Sequence, residues 1–429
     1  MIDPQLPESR EQIGEIQRKF KAVAIERAKR APFHARRLAD IDPAKTDDPE
    51  HWARIPVLDK EELRNITPQQ FAGDFCTIGE QPVAEYWRSG GSTGKPLFYP
   101  RTFEDLKFGF LSFARTFHMA GAGSGDRVHV SFPLGVHPVG HVYCRVAQQM
   151  GMGVTWAGAG ASTPSAAQVE LVRAMRPNLW LGMSSYGIHL ANLAEAAGID
   201  LAGSSVRTVM CTAEPLSDTK RAKIARMWGA NVVDTFGMTE AGMMGCESEA
   251  GDGLHIWTDL FFIEVLDPDT LKPVAEGETG TLVVTPLRTN NATPFVRWNS
   301  GDVVTWRAAG KSGGRFGVFP VIRHAHRTTG FFKVRGININ HADFEDFMFA
   351  SREVNDFKCE LVTEADREIL RVSFEVARGA EPGPVRSTLE ITIRDVFGVT
   401  PDLVVLDGGA LAREAESAVK MPRFVDRRS

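Results

Sequence analysis

The chain has 429 residues, 43% of them hydrophobic, and this length and composition predict a large core and two or more domains. The formal charge of −5, with acidic and basic residues interspersed, disfavours a nucleic-acid partner. No apolar run approaches the roughly 20 residues of a membrane span, the N-terminus is too charged for a signal peptide, and five widely spaced cysteines fit a reducing compartment, so we expect a cytoplasmic protein without a membrane partner.

After two predicted helices over residues 9–30 and 59–65, the chain has a glycine-rich stretch at residues 86–102, YWRSGGSTGKPLFYPRT. Its flanks predict two short strands, and the tip between them is rich in backbone and side-chain donors, as an anion-binding loop would be. Pro96 stands where a Walker-type loop carries its magnesium-binding hydroxyl, which excludes that class of nucleotide loop. A plain polar hairpin tip remains the alternative.

Residues 123–236 predict the main fold class, because five short β runs alternate there with four amphipathic helices. Gly151, Gly198 and Gly229 stand where three of the helices should end. We therefore predict an α/β fold with a doubly wound parallel sheet, whose ligands bind beyond the carboxyl ends of the strands.

The later part of the chain changes pattern twice. From residue 255 strands follow one another without helices, which predicts an antiparallel β subdomain over about residues 255–326. From residue 331 strands and helices alternate in a small α+β pattern. We predict an N-terminal domain of residues 1–328 and a C-terminal α+β domain of residues 329–429.

The segment DTFGMTEAG, at the carboxyl end of the fifth predicted strand, contains side chains suited to the four needs of bound ATP. Asp234 could accept a hydrogen bond from the exocyclic amine, and Phe236 could offer an aromatic face to the base. Thr239 could donate to a phosphate, and Glu240 could supply a carboxylate for Mg²⁺.

Two further residues extend this set. Asp302 follows a Ser-Gly turn and could accept the ribose hydroxyls, as the acidic residue of dinucleotide sites does. Lys420, near the C-terminus, could act as a mobile point charge.

With these motifs in hand, the sequence resembles the adenylate-forming enzymes over nearly its whole length, and among them it is most similar to the phenylacetate–coenzyme A ligases. SGGSTGKP resembles the phosphate loop of that family, AEP resembles its adenine-side loop, and DTFGMTE is similar to its pattern D-x-Y-G-x-[ST]-E. RWNSGD is similar to RYRTGD. The stretches GLHIWTD, HRTTGFFKVRGININHADFE and SAVKMPRFVDRR match further segments, and all seven stretches follow one another along the chain as they do in the family.

The resemblance implies an enzyme that uses ATP, Mg²⁺ and coenzyme A on a small carboxylic acid. The acid attacks the α-phosphate to give an acyl-adenylate, and a thiol then displaces AMP while a mobile C-terminal domain exchanges the catalytic groups. A homodimer is left open.

The resemblance also implies roles for individual residues. The catalytic residues would be Lys420, Thr239 and Glu240, with Glu240 on Mg²⁺. The residues that bind ATP and AMP would be Ser89, Gly91, Ser92, Thr93, Gly94, Lys95, Ala213, Glu214, Pro215, Asp234, Thr235, Phe236, Gly237, Met238, Asp302 and Arg327. The hinge and coenzyme A set would be Thr329, Lys333, Arg335 and Gly336. The acid would contact His137, His141, Ser185, Tyr186 and Gly237.

The sequence departs from the family pattern at a few positions. Thr329 replaces the hinge acid, and Asn299 stands where family members generally have arginine. Cys246 and His255 are two of four residues that hold zinc in many relatives, but no C-x-C pair follows, so we predict a buried cysteine and a hydrogen-bonded histidine rather than structural zinc.

Two alternatives stay open at this point. The enzyme could stop at adenylyl transfer or acylate a carrier protein without free coenzyme A, or the chain could be a catalytically silent nucleotide-binding relative. The polar residues His137, His141 and Tyr186 in a region that is usually apolar in relatives point to an acid bearing a hydroxyl, an amine or a second carboxylate.

Overall fold

The computed structural model describes residues 3–79, 81–88, 97–249, 251–308, 314–327, 331–364, 367–415 and 423–428. The helices in this part of the chain are α1 (Arg10–Ala28), α2 (Pro32–Arg37), α3 (Pro49–Ala53), α4 (Lys60–Arg64), α5 (Pro68–Gln70), α6 (Phe103–Met119), α7 (Pro138–Gln149), α8 (Ser165–Met175), α9 (Ser184–Ala196), α10 (Asp218–Trp228), α11 (His341–Ala350), α12 (Pro382–Phe397) and α13 (Ala410–Ala415).

The strands are β1 (Val83–Arg88), β2 (Phe98–Thr102), β3 (Arg127–Val130), β4 (Gly153–Trp156), β5 (Leu179–Gly182), β6 (Thr208–Cys211), β7 (Asn231–Met238), β8 (Gly242–Glu247), β9 (Leu254–Ile256), β10 (Phe261–Leu266), β11 (Thr279–Pro286), β12 (Trp298–Arg307), β13 (Val321–Arg327), β14 (Phe331–Val334), β15 (Ile337–Asn340), β16 (Val354–Glu364), β17 (Arg367–Val376), β18 (Asp402–Leu406) and β19 (Phe424–Asp426). The fold is α/β, as the sequence predicts.

The chain divides into two compact units. Unit 1 contains Met1–Asp126, Leu134–Val154 and Val233–Thr328, and unit 2 contains Arg127–Pro133, Thr155–Val232 and Thr329–Ser429. One division falls between Thr328 and Thr329, where the sequence predicts a domain boundary. The C-terminal residues share unit 2 with part of the parallel-strand region, and their separation as a domain of their own stays a prediction.

Unit 1 is built on antiparallel strands in the order β10-β11-β12-β13-β9-β8-β7. β1 and β2 form a separate hairpin, in which Trp87 pairs with Tyr99. The antiparallel pairing begins with the β7–β8 hairpin, earlier than the predicted start at residue 255, because Gly242 turns the chain straight back with a φ of 105°.

Unit 2 contains the parallel strands β3, β5 and β6, in which Val128 pairs with Leu179 and Leu179 with Thr208. The C-terminal residues add a four-stranded sheet in the order β18-β17-β16-β19, flanked by α11 and α12. This arrangement confirms the predicted parallel strands with intervening helices and the small α+β C-terminal part.

Two glycines make room for a buried tryptophan in unit 2. A Cβ atom on Gly182 would lie 2.2 Å from the Trp180 ring, and one on Gly187 would lie 3.2 Å from it. The fully buried Trp180 stacks obliquely on Trp228, whose indole donates to the Gly187 carbonyl at 3.0 Å. Trp180 is therefore a core residue of unit 2.

Most predicted elements are present, but one long helix was missed. The 17-residue helix α6 has 12 buried residues, so it lacks the polar stripe that marks a surface helix. The sequence nevertheless contains a signal for the start of α6, because Thr102 and Asp105 form a capping box. Among the described residues, no helix is both long enough and apolar enough to cross a membrane.

Candidate active site

The predicted glycine-rich hairpin is present as β1 and β2. Its tip, with the predicted phosphate donors Ser89, Gly91, Ser92, Thr93, Gly94 and Lys95, lies outside the described residues. The strand that leaves the tip is firmly held, because Tyr99 and Arg101 are both buried. The Arg101 guanidinium also lies over the Trp87 ring, 4.6 Å from its centroid.

Arg101 reaches the turn that carries the predicted catalytic pair Thr239 and Glu240. Its guanidinium donates to the Thr239 carbonyl and, at 3.2 Å, to the Thr289 carbonyl. Because one rigid fork binds both carbonyls, the β2 strand and the turn between β7 and β8 are fixed to each other.

The same turn is held from a second side. The Asn290 side-chain amide donates to the Glu240 carbonyl, and the Thr289 hydroxyl donates to the Ala241 carbonyl at 2.9 Å. Sequence reasoning missed Arg101, Thr289 and Asn290. The position of Arg101 in the strand that follows the glycine-rich tip was the available signal.

The Glu240 carboxyl is electrostatically under-compensated. Burial raises its pKa above the ordinary value, although Lys60, Arg101 and a hydrogen bond with Tyr99 oppose this. Mg²⁺ in phosphate-transfer sites is typically held by one or two carboxylates together with substrate phosphates. A single carboxylate that gains from added positive charge fits such a cation.

The sequence places the DTFGMTE motif at the carboxyl end of the fifth strand. In the structure, its residues 234–238 lie within β7, and only Thr239 and Glu240 follow the strand. The strand continues through Met238 because it pairs with β8 as a hairpin. The Thr235 hydroxyl lies 3.1 Å from the Tyr143 hydroxyl, and the Phe236 ring contacts the His324 ring edge-on at 4.9 Å. The main chain of Asp234 donates to Glu247 at 3.1 Å.

Gly237 marks a point of close backbone approach in this motif. A Cβ atom there would lie 2.6 Å from the Gly242 carbonyl oxygen and 3.0 Å from the Met243 Cα atom. Only glycine allows β8 to come this near.

Asp302 and Arg327, both predicted to bind ATP, are cross-strand partners of β12 and β13. Asp302 is buried and lies in β12, with its main chain donating to the Ser300 hydroxyl at 3.0 Å. Asn299 has a structural task here: its side chain donates to Asp59 at 2.7 Å and accepts from the Gly301 main chain at 2.9 Å.

In unit 2 the predicted adenine-side loop, residues 213–215, follows β6. Ala213 has a φ of 71°, an uncommon conformation for a residue with a side chain. The Glu214 carboxylate accepts hydrogen bonds from the Ser184 hydroxyl at 3.0 Å and from the main chain and hydroxyl of Ser185 at 2.9 and 2.7 Å. The Pro215 side of the loop is exposed.

The carboxylate of Glu214 is held charged. Burial alone would raise its pKa, but Lys220, the two hydrogen bonds from Ser185 and Arg423 together lower it. Glu214 therefore orders the start of α9 and the loop at once.

The predicted acid-binding residues are distributed over both units. In unit 1, His137 precedes α7, and the His141 imidazole lies 3.9 Å from Glu85, with a pKa lowered chiefly by burial. In unit 2, the Tyr186 hydroxyl is hydrogen-bonded with Ser165 at 2.9 Å and Gln168 at 3.0 Å.

The predicted coenzyme A segment forms the β14–β15 hairpin in unit 2. Arg335 and Gly336 have φ values of 48° and 84°, as a two-residue type I′ turn requires. Arg335 is anchored on Glu368 through its main chain at 2.6 Å, while the Lys333 carbonyl accepts from Arg428 at 2.8 Å. The Lys333 side chain is exposed.

Two predicted residues, Lys420 and Thr329, lie outside the described residues. Cys246 and His255 are buried cross-strand partners of β8 and β9. The His255 ring is hydrogen-bonded with Asp252 and with the Phe316 carbonyl, both at 3.3 Å. In the part of the chain that the structure describes, no group of three or more His, Cys, Asp and Glu side chains could hold a metal ion.

The chain matches known proteins over most of its length. The family described as AMP-binding enzyme matches residues 42–286. The chain is 31% identical over 353 residues to the phenylacetate–coenzyme A ligase of Thermus thermophilus, covering 78% of this chain and 76% of the relative. It is 24% identical over 426 residues to the enzyme of that name from Escherichia coli K12, covering 96% and 90%.

The fold also has solved counterparts. A structure of 2-hydroxyisobutyryl-CoA ligase in the postadenylation state with R3-HIB-AMP has a TM-score of 0.82 and 21% identity, covering 99% of this chain and 95% of that one. At this identity the likeness shows the shared fold alone. The sequence matches go further: the chain belongs to the adenylate-forming, AMP-binding enzymes and, among them, to the phenylacetate–coenzyme A ligase family of AMP-forming acid–thiol ligases.

Proposed function

We propose that the protein is an ATP-dependent ligase that joins an aromatic carboxylic acid to coenzyme A. The acid's carboxylate attacks the α-phosphorus of ATP, and pyrophosphate leaves to give an acyl-adenylate. The thiol of coenzyme A then attacks the acyl carbon, AMP leaves, and a thioester forms. The names of the sequence relatives support coenzyme A as acceptor and an aromatic acid as substrate.

The observation that carries this proposal is the turn at Thr239 and Glu240. Arg101 and Asn290 bind the main-chain carbonyls of these two residues, so the backbone that carries a side-chain donor and a half-buried carboxylate is fixed before a nucleotide binds. Donors fixed in advance stabilise charge on a transferring phosphate by about 10²- to 10³-fold each. Thr239 would donate to phosphate and Glu240 would hold Mg²⁺, which neutralises phosphate charge when bound.

The nucleotide would be oriented by several residues of the predicted motifs. We assign the exocyclic amine to Asp234, the base to Phe236, the ribose to Asp302 and the adenine side to the loop of residues 213–215. The phosphate-loop residues 89–95 would hold the leaving pyrophosphate, and Lys420 would neutralise charge at the α-phosphate.

The second half-reaction would use the β14–β15 hairpin. Lys333 is exposed on β14, and Arg335 and Gly336 form a rigid turn that could present backbone groups to coenzyme A. A pivot near Thr329 would exchange this hairpin for Lys420 between the half-reactions.

The acid would contact His137, His141, Ser185, Tyr186 and Gly237. Ser185 and Tyr186 already have hydrogen-bond partners within unit 2, so in this assignment they contribute shape more than free donors. His141 beside Glu85 is the polar group of the set that could select a hydroxyl or amine on the acid.

A panel of carboxylic acids, assayed for pyrophosphate release with and without coenzyme A, tests the proposal. We expect aromatic acids to release pyrophosphate and to yield a thioester only when coenzyme A is present. Acyl-adenylate without thioester would indicate an adenylyltransferase or a carrier-protein enzyme. No acid-dependent release with any acid would refute catalysis.

A further inference from the structure

A cluster of six charged side chains lies beside α10 in unit 2, outside the residues assigned above except for one. It contains three acidic and three basic residues, which balance in charge, and we call it the α10 charge cluster: Glu214, Lys220, Lys223, Glu345, Asp356 and Arg423. Four of the six are almost completely buried, with exposed fractions of 3% for Lys220, 2% for Lys223, 2% for Asp356 and 5% for Arg423.

The contacts form a continuous path that starts at the adenine-side loop. The Lys220 ammonium lies 3.9 Å from Glu214 and 3.2 Å from Glu345. The Arg423 guanidinium lies 3.4 Å from Glu345 and 2.9 Å from Asp356. Acidic and basic groups alternate along the path, so each charge is compensated by its neighbours.

Lys223 adds a second link between the same two stretches of chain. Its ammonium donates to the carbonyls of Val354 and Asn355 at 2.7 and 2.5 Å and lies over the Phe349 ring, 4.5 Å from the centroid. Burial lowers its pKa to about 7. The acceptors that compensate for this burial come from the C-terminal part of the chain.

Burying six charged side chains has a large desolvation penalty, which the attraction between them only partly offsets. A buried ion pair often stabilises no more than apolar side chains of equal volume, whereas loss of one partner is strongly destabilising because it leaves an uncompensated buried charge. Buried charges can instead select one packing of the helices and strands, because only that packing gives every charge a partner. Here the satisfied arrangement joins the 213–215 loop to α11, β16 and Arg423.

We propose that the α10 charge cluster positions the C-terminal segment for the adenylation half-reaction, with Glu345 and Lys220 as the positioning residues that connect Arg423 to the adenine-side loop. The inference rests on the proposed function. Arg423 is three residues from Lys420, so the covalent chain keeps their Cα atoms within about 11 Å of each other. Fixing Arg423 relative to the loop therefore restrains the lysine assigned to the α-phosphate.

The cluster could instead be packing that stabilises unit 2 without regard to either half-reaction. The two interpretations differ in one ratio. A positioning role lowers adenylation more than thioester formation, whereas a purely structural role lowers both equally. Because both rates are measured on one preparation, the ratio does not depend on the fraction of folded protein.

The test uses the full chain with Glu345→Gln, Lys220→Met, the double variant and Lys220→Arg. Glu345→Gln keeps the shape of the side chain and removes its charge. Asp343→Asn is the matched control, because Asp343 is exposed on the same helix and lies outside the cluster. Adenylation is measured as acid-dependent exchange of pyrophosphate into ATP, and the second half as thioester formation from supplied acyl-adenylate.

We expect each of the two charge-removing variants to lower exchange by about tenfold or more and thioester formation by less than about threefold. The double variant should lose less exchange than the sum of the two single losses, since neither the Lys220 charge nor the Glu345 charge is left without the other. Lys220→Arg keeps the positive charge and should retain most of the exchange. Equal loss in both halves, unchanged exchange, or an equal effect of Asp343→Asn would overturn the inference alone. A wild-type enzyme without exchange for any acid would overturn the proposed function and the inference with it.

Discussion

Gly237→Ala is the sharpest test of how the DTFGMTE motif is built. The added methyl group would meet two backbone atoms of β8, at 2.6 Å for the Gly242 oxygen and 3.0 Å for the Met243 Cα atom. Side-chain carbons essentially never approach other atoms more closely than 3.0 Å, so the strands must separate by a few tenths of an ångström. Overpacking of this kind typically costs about 1 to 3 kcal/mol, and backbone atoms cannot avoid it by changing rotamer.

The matched control is Gly109→Ala, the same chemical change inside α6. A Cβ atom at Gly109 meets nothing within 4 Å. Alanine in a helix interior is more favourable than glycine by about 0.5 to 1 kcal/mol. We therefore expect the midpoint of thermal unfolding to fall for Gly237→Ala and to stay equal or rise for Gly109→Ala.

Activity should follow the same order. Separation of β7 and β8 shifts Thr239 and Glu240 at the hairpin turn, so acid-dependent pyrophosphate exchange should drop in Gly237→Ala and persist in Gly109→Ala. If Gly237→Ala melts and reacts like the wild type, the close approach of the two strands is not what this motif requires, and the reasoning is refuted.

Three further predictions follow from single residues. Lys420→Ala should remove most acyl-adenylate formation but spare thioester formation from supplied acyl-adenylate; an equal loss in both would contradict the exchange of catalytic groups. Glu240→Gln should raise the Mg²⁺ concentration needed for half-maximal rate, and an unchanged Mg²⁺ dependence would place the metal elsewhere. Burial, together with repulsion from Arg37, lowers the pKa of His34 to about 3, so the folded protein binds fewer protons there than the unfolded chain between pH 6.5 and 3. Stability should fall by up to about 1.4 kcal/mol per pH unit as the pH drops below 6.5, and His34→Leu should show a smaller loss of melting temperature between about pH 7 and 5; an equal loss would refute this assignment.

The sequence was most informative where a structure depends on neighbours along the chain. Runs of β-branched residues with terminal glycines located β3 to β7 and the helices between them, and Gly229 shows why: its φ is 59°, and a Cβ atom would lie 2.4 Å from the Ala202 carbonyl. The β1–β2 hairpin and the α+β pattern of the last hundred residues were predictable for the same reason. The order of the motifs along the chain also indicated the family, which the sequence matches confirm.

The sequence was least informative where the partner lies far away in the chain. β7 continues past Phe236 to Met238 because β8 pairs with it, and no local pattern distinguishes that from a strand that ends at Phe236. The partners of Arg101 lie 138 and 188 positions away, at Thr239 and Thr289.

By itself, then, the sequence determined the α/β class, the local elements and the family of this protein, because periodicity, turn residues and motif spacing are short-range properties. The tertiary structure decided which charges are compensated and by whom. Glu214 could be read as an adenine-side residue, but its bonds to Ser184 and Ser185 and its link through Lys220 to Glu345 depend on the packing of separate helices. Burial makes such partners obligatory, and only the folded chain brings them within reach.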